Sequence, residues 1–388
     1  MMGRGRTGAS QAALRGRNVE RLLGIDIPPD ESIARLHIGD PCFATPPHIV
    51  DAATAAMAEG YTHYPPSRGD PELRIAVAKH ASLRAGRRIE ATDVLITAGA
   101  TEAIYCALTA VLDPGDEVIL FDPSYSLYGA IVDQIGAVPV FVAMTPELRP
   151  DLDRLHRAVT DKTRLVVINN PVNPTGVVFT ERELNAIAEI AVARDLLVLA
   201  DEIYGELVFT QSFSTCLAMP ELADRLLYVN GFSKTYAMTG WRLGYLIAPA
   251  ELLPAAYVIH SNCASVVSWP AQRAGIAALQ GRREPIDEMI AGYLARREDM
   301  LLGLAGTPGL TLTRPEGAFY LYVGFSFDTP IRSADLAKLL LAEGVAVRSG
   351  TEYGPSGEGH LRLSYSATFD DIRTGAQRLH RVFEHLSG

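Results

Sequence analysis

Only four cysteines occur in the 388 residues, Cys42, Cys106, Cys216 and Cys263, and no two of them lie close together. That spacing argues against a disulfide framework and a thiolate zinc site, so no metal is expected and the thiols suit a reducing, cytoplasmic setting. No apolar run reaches the roughly 18–20 residues of a membrane span, and the start MMGRGRTGASQAALRGRN lacks the apolar stretch of a secretory signal. Positive charge is scarce too. The formal net charge is -10 with no sustained run, which disfavours nucleic acid and anionic membranes as partners and leaves a small metabolite. Internal repeats, low-complexity tracts and long linkers are also missing. Residues 1–17 are set apart from the fold as a mobile N-terminal arm.

A chain of this length with 48% hydrophobic residues holds more than one small core, and two lobes are expected. Short β-rich runs recur at DVLITA (93–98), DEVILF (116–121), TRLVVINN (163–170), LLVLADE (196–202), LLYVNG (226–231) and RLGYLIA (242–248). Helix-like stretches separate several of them. TEAIYCALTAVL (101–112) and TERELNAIAEIAVARD (180–195) carry apolar residues at helical spacing, the second with Thr180 as N-cap and Glu183 three residues on. Strands that alternate with helices and are apolar on both faces indicate an α/β fold with a mainly parallel sheet covered on both sides. From about residue 285 the texture changes to a smaller α+β lobe. The expected division is 18–45 as an N-terminal segment contributing to the small domain, 46–280 as the large domain and 281–388 as the small C-terminal domain.

Ligands of such sheets bind beyond the carboxyl ends of the strands, and unusual residues collect there. TAGATEA follows the first strand, so Gly99, Ala100 and Thr101 can offer backbone N–H groups and a hydroxyl to a phosphate, although small residues also serve such turns for steric reasons. Tyr125 in DPSYSLY can lay its ring on a flat ligand or simply pack. NNPVNPTG forces an irregular turn that aims Asn173 above the sheet. Asp201 follows the apolar LLVL, where a carboxylate needs a positive partner, and Tyr204 lies three residues on. Lys234 in FSKTYAMTGWRLGY stands at the same edge, eight residues before Arg242. Desolvated and near other cations, such a lysine becomes a nucleophile for carbonyls. Taken together, a phosphate cradle, an aromatic platform, a buried acid, an arginine and this amine describe pyridoxal phosphate.

With SKTYAMTGWRLGY, NNPVNPTG, ADEIYGEL, YPPSRGDPELR and PEGAFYLY in this order, the chain resembles the class I/II aminotransferases of the aspartate aminotransferase type from about residue 30 to its end. The resemblance implies fold type I: a large domain with a mainly parallel seven-stranded sheet covered by helices on both faces, plus a smaller α+β domain. It implies that Lys234 holds pyridoxal 5'-phosphate as an internal aldimine and moves the proton between substrate and cofactor. Asp201 is expected on the pyridine nitrogen, Asn173 and Tyr204 on the phenolic oxygen, and Tyr125 stacked on the ring. Gly99, Ala100, Thr101, Ser233 and Arg242 are expected around the phosphate, with Tyr64 reaching in from the neighbouring subunit of a homodimer. Arg362 in GHLRLSYS is expected to grip the substrate α-carboxylate, helped by Gly39 and Asn173.

Two departures from the family's pattern stand out. Gly231 occupies a position where many relatives have a phosphate-binding serine, and Thr101 one where some aspartate enzymes have a lysine that serves dicarboxylates. His37, Cys42, Phe43, Tyr125, Trp269 and Tyr353 are candidates for lining the substrate pocket. The expected reaction is transamination between an L-amino acid and a 2-oxo acid. The alternative is a β/γ-lyase or a replacement or carbon–carbon bond-forming enzyme on the same fold. A non-catalytic regulator would need a fused DNA-binding domain and is disfavoured by the intact Lys234, Asp201 and Arg362.

Overall fold

The computed structural model describes residues 27, 30–210 and 212–388; the arm expected at 1–17 lies outside them. A short strand β1 (Ala34–Arg35) precedes the seven strands of the main sheet. These are β2 (Val94–Thr97), β3 (Glu117–Asp122), β4 (Val138–Ala143), β5 (Thr163–Asn169), β6 (Leu197–Asp201), β7 (Leu226–Gly231) and β8 (Gly244–Ile247). Their spatial order is β2-β8-β7-β6-β5-β3-β4, and β8 alone runs against its neighbours. The fold type I architecture expected from the motifs is therefore present.

Successive residues of the inner strands of the main sheet feed opposite cores, as the pleat requires. In β5, Val166 and Ile168 join one apolar cluster while Leu165 and Val167 join the other. β6 and β7 are buried along their whole length, which explains why they read as continuous apolar runs. The helix Glu181–Ala193 starts in the expected capping box: Thr180 Oγ1 accepts from the Glu183 amide at 3.3 Å, and the Glu183 carboxylate accepts from the Thr180 amide at 2.7 Å.

β4 has no counterpart among the runs picked out from the sequence. It contains Pro139 and exposes Val138 and Phe141. A proline is tolerated there because β4 is the edge of the sheet and pairs only with β3.

The second body of the chain is a four-stranded antiparallel sheet ordered β12 (Arg348–Ser349), β13 (His360–Ser364), β10 (Tyr320–Phe325) and β9 (Leu310–Leu312). Beside it, β1 pairs in parallel with β11 (Val345–Ala346). The helices Glu284–Leu304 and Phe369–Ser387 pack on each other through residues such as Met300, Leu304, Ala376 and Leu379, all buried. Among the described residues, no helix is long and apolar enough to cross a membrane.

Candidate active site

The carboxyl ends of β2, β3, β5, β6 and β7 lie on one edge of the main sheet, and β8 returns from that edge. A cavity of about 670 Å³ opens there, bounded on its far side by β10, β12 and β13. Its wall brings together Gly39, Ala100, Thr101, Tyr125, Asn173, Asp201, Tyr204, Ser233, Lys234, Arg242 and Arg362. Two of the residues expected around the cofactor are not on it. Gly99 is buried directly behind the wall, and Tyr64 is 87% exposed on the segment preceding the helix Pro71–Ala85.

Lys234 enters the cavity from the loop after β7. Its Nζ donates to the Gly39 carbonyl at 2.6 Å and sits 5.6 Å from the centre of the Phe319 ring. Burial lowers its pKa to about 8, with Arg362 and Arg242 pushing the same way and Asp40 and Asp201 opposing. The amine thus gives up its proton more readily than an ordinary lysine, which favours attack on a carbonyl.

Asp201 ends β6 and is 3% exposed. The sequence suggested a cationic partner; the structure instead supplies neutral donors. Tyr128 donates its hydroxyl to Oδ2 at 2.7 Å and the Ile203 amide donates to Oδ1 at 3.1 Å. Burial outweighs these bonds and raises the carboxyl to about 6. A desolvated acid facing a cavity without a bonded cation is suited to a ligand that brings a protonated nitrogen.

Tyr204 does not turn back to Asp201; its hydroxyl meets that of Tyr320 at 2.8 Å, edge-on to its ring. Asn173 is held by its own amide, which donates to Asn169 Oδ1 at 2.8 Å, and its Oδ1 accepts from Arg362 Nη1 at 3.2 Å. Arg362 is 5% exposed, lies over the rings of Tyr320 and Tyr353, and donates from Nη2 to the His37 carbonyl at 2.6 Å. Its Nε has no partner. A buried guanidinium that ends on neutral oxygens and keeps a spare donor is suited to an incoming carboxylate. Tyr125, whose hydroxyl burial pushes up to about 12, stands edge-on to Tyr128 at 5.6 Å.

The turn after β2 is shaped by Gly99, whose φ of +84° favours glycine and whose added Cβ would stand 2.6 Å from Arg242 Nη2. Arg242 approaches through that gap and, among the described residues, bonds only carbonyls, those of Thr239 at 3.0 Å and Ala98 at 3.5 Å. Glu102, in the first turn of the helix Ala100–Val111, accepts from the Ala98 amide and meets His260 Nδ1 at 2.8 Å. His260 reaches on with Nε2 to the Ser67 carbonyl at 3.0 Å.

Several contributors carried no signal in the sequence. Tyr128, Tyr320, Glu102 and His260 act through contacts between distant segments. Of the pocket candidates, His37, Tyr125 and Tyr353 line the cavity. Cys42, Phe43 and Trp269 do not: Phe43 packs edge-on to Tyr293 at 5.0 Å, and Trp269 Nε1 donates to Asp70 at 3.1 Å, edge-on to Tyr61. Cys42 is exposed, with its amide on Ser366 Oγ.

The chain is 38% identical over 369 residues to the aspartate/prephenate aminotransferase of Thermus thermophilus, which covers 93% of this chain and 92% of the relative. It is 36% identical over 364 residues to the aspartate aminotransferase of Geobacillus stearothermophilus, covering 90% and 91%. Among solved structures, the aromatic aminotransferase from Pyrococcus horikoshii OT3 superposes with a TM-score of 0.88 at 33% identity, covering 96% of this chain and 99% of that one. The sequence model for aminotransferases of class I and II matches residues 31–379, and the chain therefore belongs to that family, as a transferase of amino groups.

Proposed function

We propose that the chain is a pyridoxal 5'-phosphate-dependent aminotransferase that moves an amino group from an L-amino acid to a 2-oxo acid. One observation carries this reading. A desolvated amine and a desolvated carboxylate, Lys234 and Asp201, share a cavity with two guanidiniums, Arg242 and Arg362, that bond only neutral oxygens. This donor set fits the cofactor: an amine for its aldehyde, an acid for its ring nitrogen and a guanidinium beside a helix N-terminus for its phosphate.

When bound, the cofactor supplies an electron sink for the pair left behind when the substrate α-proton departs. The chain's own residues supply the rest. Lys234 Nζ would be the group that takes the substrate α-proton and holds it for return. Asp201, oriented by Tyr128 and the Ile203 amide, would hold its carboxylate against a protonated ring nitrogen. Arg362 fixes the α-carboxylate through two parallel bonds, with Asn173 holding its plane. Tyr125 would cover the ring, and Ala100, Thr101, Ser233 and Arg242 would hold the phosphate, with Gly99 behind the wall leaving room for Arg242. Lys234 must let go of the Gly39 carbonyl for this to happen.

We also propose a homodimer in which the exposed Tyr64 reaches the partner's phosphate. Tyr64 is 87% exposed on a segment that Ser67 and Asp70 tie to the body of the chain, which leaves its ring available to another protein surface.

The test is the visible spectrum of the cofactor-loaded protein, recorded while single amino acids are added without a 2-oxo acid. Stoichiometric loss of the visible band, restored by a 2-oxo acid, is the expected result. Steady release of ammonia with the band retained would replace this reading by a lyase.

A further inference from the structure

The same cavity contains a fourth cation whose position differs from the others. β12 pairs with β13 so that Arg348 stands directly opposite Arg362, which places both side chains on one face of the small sheet. Two guanidiniums so placed repel unless each has an acceptor. Arg362 ends on the Asn173 side chain and the His37 carbonyl. Arg348 ends on an acid: its Nη1 lies 3.4 Å from Glu352 Oε2, and the other carboxylate oxygen accepts from the Ser349 amide at 3.3 Å. Both partners line the cavity and both are largely shielded from water, at 13% and 15% side-chain exposure.

The charge balance of the cavity follows. Lys234, Arg242 and Arg362 bond neutral oxygens only, and the proposed function assigns each of them to one group: aldehyde, phosphate and α-carboxylate. Among the described wall residues, Arg348 is the remaining Lys or Arg, and its charge is already met by Glu352. A second carboxylate entering beside the first would have to displace Glu352 or face it at close range in a poorly solvated space. A neutral side chain meets neither obstacle. Ser126, Glu352 and Tyr353 also border a second cavity of about 670 Å³, walled by apolar residues such as Phe141, Leu341 and Val347 together with Asp133 and Lys338.

We propose that Glu352, by neutralising Arg348, is a specificity-determining residue that excludes acidic side chains and sets the substrate class as amino acids with neutral, mainly apolar side chains. This rests on the aminotransferase reading of the cavity. It departs from what the names of the aspartate aminotransferase relatives suggest.

The test separates binding from turnover. Dissociation constants of succinate and of 4-methylpentanoate are measured by calorimetry on the cofactor-loaded protein, as wild type, Glu352→Gln and Glu352→Gln/Arg348→Met. The wild type is expected to bind the monoacid at least ~10-fold more tightly than the diacid. Glu352→Gln is expected to narrow that ratio by ~10-fold, and the added Arg348→Met to restore it. Because Gln keeps the size of Glu and binding of the monoacid reports an intact site, misfolding cannot imitate this pattern. Tighter succinate binding by the wild type, or a ratio unmoved by Glu352→Gln, overturns the proposal. If these ratios hold while no amino acid discharges the visible band, the aminotransferase reading falls and the charge rule at Glu352 stands.

Discussion

His260 and Glu102 meet at 2.8 Å inside the large domain, with the histidine wholly buried and the glutamate 8% exposed. Both ring nitrogens face oxygens, Glu102 on one side and the Ser67 carbonyl on the other. The pair ties the turn at Ala98 to the segment that carries Tyr64. Removing one partner of a buried pair leaves the other without compensation. His260→Ala is expected to lower the unfolding free energy by about 3 kcal/mol. It is also expected to raise the cofactor's dissociation constant, read by equilibrium dialysis, while His260→Gln recovers part of the affinity through its amide.

Asp201 gives a prediction in which stability and function move in opposite directions. Its folded pKa lies above the ordinary carboxyl value, at about 6 against 3.8. A raised pKa means that the folded cofactor-free protein is favoured below about pH 3.8 and loses that contribution as pH rises through about 6. At pH 8, Asp201→Asn is therefore expected to stabilise the cofactor-free protein by up to about 3 kcal/mol, by the size of the shift. The gain should vanish near pH 4. Turnover should fall by roughly 100-fold or more, since the ring nitrogen loses its counter-charge. Thermal melts at the two pH values and steady-state rates check both halves.

Tyr128→Phe isolates the bond that orients this acid. The Tyr128 hydroxyl pulls the Asp201 pKa down, so its loss moves the carboxyl further above 6. The acidic limb of cofactor binding against pH is expected to shift upward, with the alkaline limb unmoved. A uniform loss at every pH would instead indicate simple repacking.

For Lys234 the relevant window is set by its pKa of about 8, against an ordinary 10.5. The second-order rate at which the cofactor-free protein captures pyridoxal phosphate is expected to rise through pH 8 and to level off above it, because only the unprotonated amine attacks. Stopped-flow absorbance follows this directly, and Lys234→Ala should show no capture at any pH.

Gly99→Ala tests the route by which Arg242 reaches the turn. The new methyl would stand 2.6 Å from Nη2 in a backbone of φ +84°. Arg242 must then withdraw, and affinity for pyridoxal phosphate is expected to fall by ~10-fold or more while affinity for unphosphorylated pyridoxal changes little.

Much of the architecture was legible because burial on both faces leaves a strand no choice but apolar residues. β5, β6 and β7 were readable for that reason, whereas β4 was hidden by Pro139 and by the mixed exposure of an edge. Within the site, residues at strand ends could be picked out by position. Their supports could not. Tyr128 bonds Asp201 across 73 positions and Tyr320 bonds Tyr204 across 116, and no local spacing encodes such contacts. The sequence points to a cationic partner for Asp201, whereas the structure places a phenol and an amide on it. The Arg348–Glu352 pair carries no such signal either, since two opposite charges four residues apart look like any solvated helix face.

The reversed direction of β8 shapes how the centre is wired. In a wholly parallel sheet, each crossover delivers its chain to the carboxyl edge once and then spends a helix returning to the far side. Here the chain leaves β7, passes Lys234, turns at the same edge and re-enters β8 just after Arg242. A single short loop would thus anchor both ends of the proposed cofactor, aldehyde and phosphate, at a fixed separation. Inserting or deleting one residue between Ser233 and Gly244 would put that ruler out of calibration without touching any other strand.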